Sequence, residues 1–221
     1  MNFGFLLFPD LEELDLVGPW EIINVWRAYA NGPEHCFTVS QQGGEVRCSK
    51  GLKLMADYSF KNCPPLDYLL IPGGQGTRAE VSNAELIEFV RSQAANCKEV
   101  LSVCTGAFIL QAAGLLKNRR ATTHWGSLDR LRAFDDVTVE EKRFMRDGHV
   151  WTAAGVSAGI DLALALIADQ TDEETAGKVQ LYAEYYPSQR RYGRAHLDSR
   201  APAYLKSYEE RAKSVSDEVS L

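Results

Sequence analysis

The sequence predicts an open, mostly parallel α/β sheet, doubly wound and covered by helices on both faces. Three observations predict it. Short apolar runs of strand length alternate with amphipathic stretches of helix length along the chain. The chain has 221 residues, of which 45% are hydrophobic, enough for one full-sized α/β core. Finally, the apolar run Glu99–Val103 passes directly into Cys104 and then into a second, helical apolar run. A nucleophile elbow has this strand–turn–helix pattern, and its tight turn demands small neighbours at minus two and plus two. Here those neighbours are Ser102 and Gly106.

The elements follow in order. Residues 3–8 form a short apolar strand and 14–30 a helix, with Gly18-Pro19 near its start, where proline is tolerated. Residues 35–40 and 45–54 read as strands around a Gly43-Gly44 turn. Residues 67–71 are a buried strand that ends in Pro72-Gly-Gly-Gln-Gly76. Residues 83–95 form an amphipathic helix, 98–103 the strand into Cys104, and 105–116 the helix out of it. A strand at 120–123, a helix at 125–133 and a strand at 137–139 come next. Residues 142–146 and 149–153 form a hairpin around Asp147-Gly148, a strong turn pair. Two helices follow at 157–169 and 173–186, the second with Asp172 as its N-cap. Residues 1–186 are thus the α/β domain, and 187–221 a tail that packs on it or on a dimer partner. Seven Lys or Arg lie between 188 and 213, without helical periodicity.

Charge and composition exclude several classes. A net charge of −6 disfavours a nucleic-acid partner. No apolar run approaches the ~20 residues of a membrane span. The apolar start, residues 1–8, is short for a signal peptide and runs straight into Pro9-Asp10. The five cysteines form no C-x-x-C pair, so free thiols in a reducing cytoplasm are expected. The four histidines show no metal-ligand spacing, so neither metal nor organic cofactor is expected.

In such sheets ligands sit at the carboxyl ends of the strands. That brings together the loop after the first strand, the Pro72–Gly76 loop and Cys104. A helix N-terminus beside Cys104 favours thiolate over thiol. Asp15, between Leu14 and Leu16, is either a helix N-cap or a desolvated carboxyl with a raised pKa. Gly73 and Gly74 can present backbone N–H groups to a developing negative charge. Thr105 adds a hydroxyl and an N–H beside the sulfur. His124 follows a strand and is either structural or the base of a Cys–His couple. Ala154 and Gly155 precede a helix start and read as backbone packed against a site.

These residues resemble the DJ-1/PfpI superfamily. The segments that carry the resemblance include Gly4-Phe-Leu-Leu-Phe-Pro9, Leu14-Asp-Leu-Val-Gly-Pro19, Ile71-Pro-Gly-Gly74, Ser102-Val-Cys-Thr-Gly106, Arg120-Ala-Thr-Thr-His-Trp125 and Ala158-Gly-Ile-Asp161. They recur in order over roughly residues 3–186. The resemblance implies a flavodoxin-like three-layer α/β/α sandwich, like that of class I glutamine amidotransferases, and a homodimer. Peptidase members carry histidine after the cysteine, where this chain has Thr105. The DJ-1 branch carries glutamate where this chain has Asp15. Both differences, with Thr122-Thr-His-Trp125, point to the branch that hydrates isonitriles. That branch implies catalytic Cys104, Asp15 and Thr105, and substrate or oxyanion contacts at Gly73, Gly74, His124, Ala154 and Gly155. A redox or small-ligand sensor, or a glyoxal or hydrolytic enzyme, is the alternative on the same fold. Ala153-Ala-Gly155 is less glycine-rich than that branch's counterpart, and its two methyl groups are expected to narrow the pocket. About 35 residues follow Tyr186, too few for the paired helix-turn-helix units of related regulators.

Overall fold

The structure is a computed structural model that describes residues 1–187, 192–194 and 198–206. The chain opens with β1 (Asn2–Leu6), α1 (Glu13–Tyr29) and β2 (His35–Ser40). β3 (Gly44–Arg47) and β4 (Lys53–Ala56) come next, then β5 (Tyr58–Ser59) and β6 (Tyr68–Ile71). After α2 (Thr77–Glu80) and α3 (Ala84–Ala94), β7 (Glu99–Val103) leads into α4 (Gly106–Ala112). β8 (Arg119–Ala121), a 3-10 turn at Trp125–Ser127 and α5 (Leu128–Arg132) follow. β9 (Val137–Val139), β10 (Phe144–Asp147), β11 (Val150–Ala153), α6 (Ala158–Gln170), α7 (Glu173–Tyr182) and a short α8 (Ala203–Lys206) complete the described order.

The main sheet has seven strands in the order β10-β11-β7-β6-β1-β2-β5. All neighbours are parallel except β10 and β11, the expected hairpin. Helices α1, α6 and α7 pack together as one layer, and α3 and α4 belong to the other. The central strands are apolar on both faces; β6 is buried at every residue, as a doubly covered strand must be. Phe3 stacks on Phe5 and on Tyr68 at ring-centroid distances of 4.7 and 5.3 Å, which joins β1 to β6 through their side chains. The chain winds outward from β1 to β2, then returns to build β6, β7 and β11 on the other side. The crevice between the carboxyl ends of β1 and β6 is therefore a topological switch point.

Four details differ from the sequence expectation. Residues 45–54 are the two arms of a separate antiparallel hairpin, β3 with β4, turning at Ser49-Lys50-Gly51. Pro19 lies inside α1 rather than in its first turn. It has no N–H to give the carbonyl four residues back, which is that of Asp15. The expected strand 120–123 ends at Ala121 and pairs with β9 outside the main sheet. Thr122 and Thr123 instead turn inward, Thr122 N–H to Thr152 Oγ1 at 2.9 Å and Thr123 Oγ1 to the Cys104 carbonyl at 2.7 Å. The segment 125–133 splits into a 3-10 turn and α5. Asp172 caps α7 as expected, its Oδ1 accepting from the Thr175 N–H at 2.7 Å. In the tail, Ala203 N–H donates to Glu141 Oε2 at 2.7 Å and Ala201 is buried. Much of the basic stretch 188–213 lies outside the described residues.

Candidate active site

Cys104 joins β7 to α4 with φ +55°, a left-handed conformation that non-glycine residues rarely adopt. The surroundings enforce it. Its N–H bridges the carbonyls of Ala153 and Ala154 at 3.1 and 2.9 Å, and its own carbonyl receives the Thr123 hydroxyl. At Gly106 a Cβ would stand 2.4 Å from the Ile71 carbonyl oxygen, so the plus-two position admits only hydrogen. Ser102 at minus two is fully buried.

Three groups near the sulfur act on its charge: the backbone N–H groups of Thr105 and Val156 favour the thiolate, and the Asp15 carboxyl favours the thiol. Asp15 is the third residue of α1, not its N-cap, a position that Glu12 holds. It is fully buried; Oδ2 accepts from the Gly73 N–H at 2.8 Å, while Oδ1 has no partner. Burial pushes its pKa from 3.8 to about 8, assisted by the nearby Glu12 charge and opposed by the Gly73 hydrogen bond. Cys104 is not the depressed thiol that the helix terminus suggested. Burial, with the Asp15 charge beside it, pushes it up to about 12, against the pull of the two N–H groups. Four N-terminal N–H groups of a short helix do not outweigh desolvation of the sulfur. The two groups act on each other in opposite directions: Asp15 raises the proton affinity of the thiol, and the thiol lowers that of Asp15.

Three glycines shape the site. A Cβ on Gly73 would lie 2.5 Å from the Thr105 nitrogen and 2.8 Å from Asp15 Oδ2, so the β6 loop closes directly onto the pair. Gly74 has φ +125° and its N–H is committed to Thr105 Oγ1 at 2.9 Å. The donors of Gly73 and Gly74 therefore hold Asp15 and Thr105, not a ligand. Gly155 leaves room for His124: a Cβ there would meet the ring at 2.3 Å. His124 Nδ1 accepts from the Gly126 N–H at 3.1 Å, and burial lowers the ring's pKa, favouring a neutral imidazole protonated on Nε2.

A cavity of about 310 Å³ opens over the sulfur, lined by Glu12, Gly74, Gln75, Arg78, Cys104, Thr105, His124, Gly126, Ser127 and Val156. The structure thus brings Cys104, Thr105, Gly74 and His124 to one cavity, with Asp15 and Gly73 behind the sulfur. Ala154 is not among the lining residues. Its side chain and that of Ala153 are fully buried, so their methyl groups do not narrow the pocket. Ala154 acts through its carbonyl, and Gly155 through the space that it leaves. Sequence reasoning missed Val156, Arg78, Gln75 and Glu12. Val156 has φ +47°, rare for a β-branched residue, and no sequence pattern announces it. A larger cavity, about 620 Å³, lies beside Trp125, Arg132 and Ala201, but Cys104 does not reach it.

A doubly wound sheet with a cysteine on a strand–helix elbow and a buried acidic partner at the switch point defines a class. The chain belongs to the DJ-1/PfpI family, whose profile matches residues 2–169. It is 40% identical over 189 residues to isonitrile hydratase of Pseudomonas putida, covering 85% of this chain and 80% of that protein. It is 30% identical to the HTH-type transcriptional regulator CdhR of Pseudomonas aeruginosa, but spans only 53% of that protein's length. Among solved structures, a ThiJ/PfpI family protein from Pseudomonas syringae superposes with a TM-score of 0.81 at 33% identity, covering 96% of this chain and 86% of that one.

Proposed function

We propose that the protein adds water to an isonitrile R–N≡C to give the N-substituted formamide R–NH–CHO. The observation that carries this reading is the Asp15 carboxyl, fully buried and close enough to the Cys104 sulfur to act on its proton, in a chain similar to isonitrile hydratase. The terminal isonitrile carbon must accept both a nucleophile and a proton, and the pair supplies both. Asp15, which holds its proton, delivers it to that carbon as the sulfur attacks and takes the thiol proton in its place, giving the thioimidate R–N=CH–S–Cys. Asp15 next gives its proton to the nitrogen and takes one from water as the water oxygen adds to the same carbon. Collapse of R–NH–CH(OH)–S–Cys releases the formamide and restores the thiol. A covalent intermediate splits one hard addition into two easier ones, and a carboxyl with a raised pKa serves as both acid and base.

The N–H groups of Thr105 and Val156 hold the sulfur while it carries charge, and the Thr105 hydroxyl fixes the Gly74 loop. His124, from the cavity wall, contacts the substrate. Among the described residues no helix is long and apolar enough to cross a membrane. The same reading includes a homodimer, through the exposed apolar face of α1 and α7.

Incubation with a simple aryl isonitrile, with the product identified by mass, tests the reading. Cys104→Ser and Cys104→Ala are expected to abolish formamide production. Asp15→Ala is expected to lower it by roughly a hundredfold or more. Turnover retained in the Cys104 variants would falsify the mechanism.

A further inference from the structure

We infer that the cavity selects isonitriles that carry a carboxylate, with Arg78 as the residue that receives it; this rests on the hydration reading above. The cavity over Cys104 has two fixed charges on its wall, Glu12 and Arg78. Glu12 has a cation of its own, Lys50, which it shares with Glu13. Arg78 has no such partner: among the described residues its guanidinium meets only the neutral amide of its neighbour Gln75. His124, the other basic group on the wall, is held toward its neutral form by burial. Arg78 is therefore the cation on the cavity wall that no acid among the described residues occupies. A second guanidinium reinforces it, since Arg130, stacked on the Phe108 ring at 3.9 Å, lies within electrostatic reach of Arg78.

A guanidinium presents parallel N–H donors that match a carboxylate in two-point contact. At about 310 Å³ the cavity sits at the small end of ligand pockets, so one molecule can touch both Cys104 and Arg78. Arg78 stands at the end of the Pro72–Gly76 loop, in α2, whose Thr77 hydroxyl lies 3.2 Å from Thr105 Oγ1. The recognition group and the reacting group are thus tied to one short backbone segment.

Two measurements test this on the full-length chain. The first compares kcat/KM for para-isocyanobenzoate and for the neutral para-isocyanobenzamide. Arg78→Gln is expected to lower the carboxylate-to-amide ratio by on the order of tenfold, mainly through KM, with Arg78→Lys intermediate. Added salt is expected to lower the wild-type ratio as well. The second reads charge selection without any hydration: the rate at which iodoacetate and iodoacetamide label Cys104, followed by peptide mass. Arg78→Gln is expected to lower the iodoacetate-to-iodoacetamide ratio. If neither isonitrile is hydrated, the hydration reading falls and the labelling ratio alone decides the charge selection. A labelling ratio unchanged by Arg78→Gln, or a substrate ratio unchanged by it, overturns the inference.

Discussion

Asp15 shows how a single residue carries the site. Its burial places one carboxylate oxygen without any partner, an arrangement tolerable only while the group keeps its proton. The linkage has a definite sign. The folded state holds the Asp15 proton up to about pH 8, the unfolded chain only to about its ordinary 3.8. Between those values the folded state binds more protons, so stability falls as pH rises through that window. Asp15→Asn removes the titration and keeps the shape. The melting temperature of the wild type relative to this variant is expected to fall as pH rises from 4 to 8. A difference that stays flat or climbs with pH would show that Asp15 is ionised throughout. The desolvation of Asp15 was legible in its neighbours Leu14 and Leu16, and so was the choice between cap and buried acid. What decided it was the Gly73 N–H, 58 residues away in sequence, which no local pattern reveals. The elevated Cys104 thiol is the same lesson reversed: the helix N-terminus could be read from the sequence, while the burial that outweighs it is a property of the packed fold.

Among the elements, the elbow depends on strand and helix meeting at Gly106. Gly106→Ala puts a methyl group against two backbone carbonyls, those of Ile71 and Pro72, which cannot rotate away as a side chain would. It is expected to destabilise the fold by about 1–3 kcal/mol and to lower turnover, because β6 and α4 must part at the point where Cys104 is held. Thermal unfolding and the formamide assay read the two effects; an unchanged melting temperature would mean that the crossing is looser than drawn. The flanking elements divide into those that local pattern could reveal and those that it could not. The buried strands β1, β6 and β7 announce themselves as apolar runs, and the β10–β11 hairpin through its turn. Helix α2 does not: four residues cannot show a 3.6-residue period, and its loop reads as glycine-rich coil. The β3–β4 hairpin was hidden for another reason. Gly43-Gly44 is the stronger turn signal, but both glycines use their positive φ to lead into β3, and the reversal falls at Gly51 instead.

At the scale of the whole molecule, the outer sides of α1 and α7 carry large exposed apolar side chains. Leu14, Val17 and Tyr29 of α1 and Leu181 and Tyr182 of α7 are large, hydrophobic and exposed. Tyr29 and Tyr182 stack at a centroid distance of 3.9 Å, which joins the C-terminal ends of the two helices. Contiguous apolar patches mark interaction sites more often than scattered exposed side chains do. The proposed dimer uses this face, and a two-fold axis would let α1 and α7 of each copy meet their counterparts. Leu181→Asp places a charge at the centre of that contact without touching the cavity. An unpaired buried charge costs at least about 3 kcal/mol, enough to weaken a dimer more than a hundredfold. Sedimentation equilibrium is therefore expected to give about twice the 24.6 kDa chain mass for the wild type and the single-chain mass for the variant. A monomeric wild type at micromolar concentration overturns the dimer, and a dimeric variant moves the interface elsewhere. The consequence reaches the chemistry through α1, whose outer face carries Leu14 and Val17 and whose inner face carries Asp15. If the partner subunit braces that helix, the monomeric variant loses turnover along with its dimer. If the sandwich alone holds Asp15 against the Gly73 N–H, turnover survives dissociation.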